Sequence, residues 1–148
     1  MKIFNRRAKF DYHLLDKFEA GVVLTGGEVK SVKAGHISLE GAFVQLRGGE
    51  AWLTNAHIHP YQFADNRVYE PRRSRKLLLK KNELLKMAQK TAAAGLTIVP
   101  IACYNKGSKI KVEIALAKGK KQFEKREAIK KRDIERETQV DLKLITNN

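Results

Sequence analysis

The sequence predicts a mainly β protein: a small antiparallel barrel with about three helices, followed by a basic C-terminal tail. Apolar and polar residues alternate along several short stretches, the period of a half-buried strand. Glycine-marked turns separate these stretches. Strands and helices do not follow the βαβ rhythm of a doubly wound sheet.

Taken in order, residues 1 to 9 carry Lys2, Arg6, Arg7 and Lys9 without an acid and show no usable periodicity, so they read as a basic arm. From Tyr12 the even positions Leu14, Phe18, Ala20, Val22 and Leu24 are apolar, which predicts a long strand. Asp16 interrupts that pattern and Gly21 removes a side chain from it, as where a barrel strand bulges or bends. A short helix is expected over residues 27–33, ending before Gly35. Residues 42–47 and 50–57 read as strands joined by Gly48-Gly49, which supplies the positive φ angles of a tight hairpin. An irregular polar stretch follows Pro60, and then Arg72-Arg73-Ser74-Arg75-Lys76 runs as a basic loop into Leu77-Leu78-Leu79. Asn82 as N-cap, the stripe Leu84, Leu85, Ala88 and Ala92, and Gly95 at the C′ position predict a helix. Residues 96–104 and the alternating Ile110, Val112, Ile114 and Leu116 complete the strands.

From Lys118 the composition changes. Residues 118–137 are rich in Lys, Arg and Glu and favour a helix, yet Phe123, Ile129 and Ile134 share no face. A helix without a core-facing stripe has nothing to dock on, so this segment is expected to lack stable structure in isolation. On a helix Lys118, Lys121, Lys125, Arg132 and Arg136 would fall within an arc of roughly 60°, forming a basic rail.

Charge narrows the function. The chain of 148 residues has 30 Lys and Arg against 16 Asp and Glu, a formal net charge of +14. Such an excess repels itself in a compact fold and suits a polyanionic partner, with nucleic acid ahead of an anionic membrane. At 43% hydrophobic residues the chain can form a core, which excludes global disorder. No apolar run reaches the ~18 residues of a membrane span, and no apolar stretch follows the basic start, so neither a membrane span nor a signal peptide is read. A single Cys103 permits no internal disulfide, and a reducing cytoplasm is the expected compartment.

The patterns of catalysis are missing. There is no GxSxG, Walker loop or HExxH, and Lys118-Gly119-Lys120-Lys121 lacks the upstream glycine and following hydroxyl of a phosphate-cradling loop. His57 and His59 could offer two imidazoles from one strand face with Cys103 as a third ligand, but His59 before Pro60 reads better as a strand end. Cys103 reads as a small buried hydrophobe. No enzyme activity, metal or cofactor is expected. Three basic tracts with Tyr61, Tyr69 and Tyr104 near loops or strand ends instead suit RNA, whose phosphates attract cations and whose unpaired bases stack on rings. A small barrel presenting a strand face and loops to RNA is the arrangement of the oligonucleotide-binding (OB) fold.

Six segments in order resemble the SmpB (SsrA-binding protein) family: Asn5-Arg6-Arg7-Ala8; Glu19-Ala20-Gly21 leading into Gly26-Gly27-Glu28-Val29-Lys30-Ser31; residues 55–61, from Asn55 to Tyr61; Arg75-Lys76-Leu77-Leu78-Leu79; residues 95–100; and Ala117-Lys118-Gly119-Lys120-Lys121. The resemblance implies an OB-type barrel over residues 1–121 and a tail over 122–148 that is disordered when free and helical on the ribosome. It implies a non-enzymatic adaptor, acting as a monomer, that binds the tRNA-like domain of transfer-messenger RNA and brings it to stalled ribosomes. Both ribosomal subunits are then partners, elongation factor Tu is an indirect one through the alanylated RNA, and no membrane is involved. By the same resemblance RNA contact falls to Asn5, Arg7, Glu28, Lys30, Ser31, Tyr61, Arg73 and Arg75, and Arg6, Asn55, Lys76, Lys118, Lys120 and Lys121 are expected to join them. The tail would enter the empty messenger channel near the decoding centre with Phe123, Glu124, Lys125, Arg126, Lys130, Arg132 and Arg136. Two positions depart from the family pattern. Gly27 stands where a threonine is usual, removing any cap or RNA contact by that hydroxyl. Phe123 stands where histidine or tyrosine is frequent, keeping ring stacking but not the hydrogen bond.

Overall fold

The computed structural model describes residues 1–120 together with Lys125 and Arg126. The strands are β1 (Lys2–Phe4), β2 (Tyr12–Val22), β3 (Ile37–Ser38), β4 (Phe43–Arg47), β5 (Glu50–Thr54), β6 (His57–Ile58), β7 (Arg75–Leu78), β8 (Thr97–Lys106) and β9 (Lys109–Gly119). The helices are α1 (Arg6–Asp11), α2 (Gly26–Lys33) and α3 (Lys81–Ala94). Seven strands form an antiparallel sheet in the order β1-β8-β9-β2-β7-β5-β4, and β3 pairs with β6 apart from it. The sheet curls so that β4, at one end, packs against β8 near the other. The expected mainly β architecture with three helices is what forms.

The start of the chain differs from the arm that its charges suggested. Lys2–Phe4 pairs with β8 in the register Lys2↔Tyr104 to Phe4↔Ala102, and α1 follows at once. Asn5 makes the turn: its Oδ1 accepts from Ala8 N at 3.2 Å, and its Nδ2 donates to Leu39 O at 3.1 Å and Pro100 O at 2.9 Å. Charge content marks a solvated face but says nothing about one asparagine fastened inward at three points.

β2 and β9 carry the alternation that predicted them, and their register shifts between Leu14 and Lys17, where Asp16 breaks the pattern. Gly48 and Gly49 both take positive φ, 58° and 77°, in the β4–β5 turn. The expected strand over 50–57 divides, because Asn55 adopts a left-handed φ of 65° that ends β5 and passes the chain to β6. β9 runs through Lys118 to Gly119, with Lys118 opposite His13. Lys118 therefore belongs to a strand and not to the start of a helical rail.

α3 packs Met87 into the core, in a register other than the stripe anticipated. Its N-cap is Lys80, whose N–H donates to Glu83 at 3.0 Å, while Asn82 meets only the neighbouring Glu83 N–H. Met87 is buried between half-buried Leu84 and Thr91, whereas Leu85, Ala88 and Ala92 are exposed. Gly95 ends the helix at φ 61° and ψ 32°, the left-handed cap expected of it. The core joins Leu39, Leu53, Ile58, Ile98, Val112, Ile114 and Leu116 with Met87 and Cys103. Burial pushes the Cys103 thiol up to about 12, so it behaves as a small apolar side chain.

Candidate nucleic-acid interface

One carboxylate organises the loop surface. Thr25 caps α2, accepting from Glu28 N–H at 3.2 Å, and Glu28 returns the bond by accepting from Thr25 N–H at 3.0 Å. The helix cap is thus supplied by Thr25 and does not need a hydroxyl at position 27. Gly27 has a packing role: a Cβ there would lie 3.2 Å from Ala64 Cβ and 3.6 Å from Tyr61 Cβ. The missing side chain lets the 61–69 loop lie close on the helix.

Glu28 is 1% exposed and faces two guanidinium groups. Arg75 Nε donates to its Oε2 at 2.8 Å and Arg73 Nη2 to its Oε1. Arg75 is fully buried, with Nη1 on Ala56 O at 2.7 Å and Nη2 on the Tyr69 hydroxyl at 3.2 Å. Tyr69 donates in turn to Ile58 O at 2.9 Å, and Ser31 Oγ to His59 O at 2.7 Å. Burial works to raise the Glu28 carboxyl, but the Thr25 N–H and the two arginines outweigh it and hold it below the usual carboxylate range. Two arginines against one glutamate leave one positive charge, and Arg73, 35% exposed, presents it to solvent.

Around this staple lies the accessible layer. A cavity of about 530 Å³ is lined by Lys30, His36, His59, Pro60 and Tyr61 among others, and a second of about 400 Å³ by Gly27, Tyr61, Val68, Tyr69 and Arg73. Tyr61 stands between the two and meets Phe63 edge-on at 5.4 Å. The His36, His57 and His59 rings pack edge to face, His57 to His59 at 4.7 Å. Burial, with the charges of His59, Arg72 and Arg75, lowers the His57 pKa. Among the described residues no three His, Cys, Asp or Glu side chains gather as a metal-binding group.

The remaining basic residues follow a path around the barrel. Arg72 Nη1 donates to Asn55 O and Oδ1, and Asn55 Nδ2 to Gly41 O at 3.2 Å. Beside Gly41, Glu40 pairs with Arg7, whose Nε also reaches Asp11 at 3.3 Å. Asp11 bonds Lys125 at 3.2 Å, and its carbonyl accepts from Lys120 N–H at 2.8 Å. Arg6, Arg7, Lys30 and Lys118 are exposed, and Lys76 is half-buried beside Glu50 at 3.0 Å.

The structure therefore divides the predicted contacts into two kinds. Asn5, Glu28, Ser31 and Arg75 are internal fasteners, not surface groups. Arg75 in particular leaves the solvated basic loop in which the sequence reading placed it. Arg6, Arg7, Lys30, Tyr61, Arg73, Lys76, Lys118 and Lys120 are accessible or half so, and Asn55 shapes the turn beneath Arg72. Lys125 and Arg126 are helical, whereas Lys121, Phe123, Glu124, Lys130, Arg132 and Arg136 lie outside the described residues. His36 and the bracing role of half-buried Tyr69 escaped the sequence, because His36 meets His59 and Tyr69 meets Glu28 across long stretches of chain.

A small curled sheet carrying cationic loops, edge-to-face rings and a buried carboxylate staple defines a nucleic-acid-binding protein of the OB kind. The chain belongs to the SmpB protein family, whose model matches residues 2–144. It is 52% identical over 139 residues to the SsrA-binding protein of Sulfurihydrogenibium sp. (strain YO3AOP1), covering 94% of this chain and 91% of that protein. The SsrA-binding protein of Trichodesmium erythraeum (strain IMS101) is 50% identical over 140 residues, with 94% and 90% covered. A solved structure described as "tmRNA-SmpB: a journey to the center of the bacterial ribosome" superposes with a TM-score of 0.68 at 43% identity, covering 82% of this chain and 85% of that one.

Proposed function

We propose that this chain is an RNA-binding adaptor, not an enzyme, that binds the tRNA-like domain of transfer-messenger RNA and brings it to stalled bacterial ribosomes in the cytoplasm. The observation that carries this reading is the match, at 43% identity, to a solved SmpB chain described with transfer-messenger RNA and the ribosome. The surface chemistry supports it independently. Arg73, Lys30 and Tyr61 offer a cation, a second cation and a ring at the mouths of two cavities, which suits phosphates beside unpaired bases.

In this reading Arg6, Arg7, Lys30, Tyr61, Arg73, Lys76, Lys118 and Lys120 touch the RNA. Asn5, Glu28, Ser31, Asn55 and Arg75 hold them in place. Lys121 adds a further cation to this RNA contact, and residues 122–148 act on the ribosome through Phe123, Glu124, Lys125, Arg126, Lys130, Arg132 and Arg136. The barrel and the tail then have separable duties.

The test is a reconstituted translation reaction stalled on a truncated message, with transfer-messenger RNA added. Peptide tagging should require this protein. Truncation before Phe123 should abolish tagging while changing affinity for the tRNA-like domain little. Loss of RNA affinity on truncation would refute the division of labour, and unaffected tagging would refute the role of the tail.

A further inference from the structure

We propose that the outer face of β1 and β8 is a separate RNA contact, in which Phe4, flanked by Lys2 and Lys9, stacks an unpaired base beside Tyr104. Ile3 turns inward against the core, so its neighbours Lys2 and Phe4 point out of the barrel. Phe4 is 51% exposed. The Lys2 ammonium lies 5.1 Å from the Phe4 ring centroid and 5.6 Å from that of Tyr104, its cross-strand partner, and Lys9 reaches Phe4 from α1 at 5.9 Å.

Lysines on a short edge strand need no function, since they discourage pairing with another chain. An exposed phenylalanine between them is not explained that way. In the free protein the two ammonium groups rest against the ring, and an arriving nucleobase would take the ring face while they swing to the flanking phosphates. Among the described residues neither Lys2 nor Lys9 has a carboxylate partner, so both charges are available. Tyr104 is held in place beside Phe4 by the hydrogen bond its hydroxyl donates to Glu19. The occupant this chemistry selects is single-stranded RNA, because a paired base hides the face that would stack.

This contact goes beyond the adaptor reading and can fail without it. Binding of labelled dodecamer oligouridine to the full chain is followed by fluorescence anisotropy, with the tRNA-like domain measured in parallel. Phe4→Ala should weaken oligouridine about tenfold, the lower end for one lost stacking contact. Phe4→Tyr should restore the affinity, and the Lys2→Ala/Lys9→Ala pair should lessen the salt dependence by about two phosphates. Affinity for the tRNA-like domain should stay within twofold in Phe4→Ala. An oligouridine affinity unchanged by Phe4→Ala, or no binding by the unaltered chain, overturns the contact. An equal loss for both RNAs overturns its separateness.

Discussion

Arg75 and Arg73 are two residues apart and bond the same carboxylate, yet their burial separates them. Arg75 cannot reach a ligand, and removing it strands a buried Glu28 charge. Arg75→Ala should cost about 3–5 kcal/mol of stability, read by urea unfolding. Arg73→Ala should spare most of the stability, since Arg75 still neutralises Glu28, and should lower RNA affinity with a salt slope reduced by about one. If the two variants had equal effects on stability, Arg73 would be a fastener as well.

Protonation tests the same residues. The Glu28 carboxyl is held below its ordinary 4.5, so the unfolded chain takes up this proton first as pH falls. Its contribution is full above about 4.5 and disappears as pH drops through the lowered value. His57 is held below 6.5, and its unfolded form likewise protonates first. Stability should thus begin to fall below about pH 6.5 and fall again below about 4.5. In His57→Gln the upper step, followed by thermal melting against pH, should shrink.

At the scale of the element, α2 is a platform whose cap and partner loop are coupled. Thr25→Ala removes the bond to Glu28 N–H and should cost about 1 kcal/mol. The Thr25 backbone N–H that bonds the Glu28 carboxylate survives this change, so Arg73 stays held and RNA affinity should change little while stability falls. A Thr25→Ser variant keeps the side-chain acceptor and should restore the stability. α3 teaches a different lesson. Its existence and its Gly95 terminus were legible from local chemistry, but the face it buries was not. Leucine and alanine recur on two sides of this helix, and only the barrel's curvature selects Met87 over Leu85 as the residue turned inward.

At the scale of the molecule, a net charge of +14 favours any polyanion, so specificity has to be separated from bulk attraction. Affinity for the tRNA-like domain should decline with salt at a log–log slope of about −0.7 to −0.9 per neutralised phosphate. A specific adaptor should keep its preference over an unrelated hairpin throughout that titration. Equal affinity for the two RNAs at every salt concentration would instead mark a general RNA binder.

Strands with clean alternation and the glycine turns are legible in the sequence because each depends on neighbours a few residues apart, and the basic balance and the family resemblance because they are read from residue identity alone. Tertiary structure alone decided which charges face inward. Glu28, Tyr69, Arg73 and Arg75 meet across gaps of 40 residues and more, and burial reverses the meaning of charge: the same guanidinium that would seek phosphate in solvent becomes, once desolvated, the partner a buried carboxylate requires.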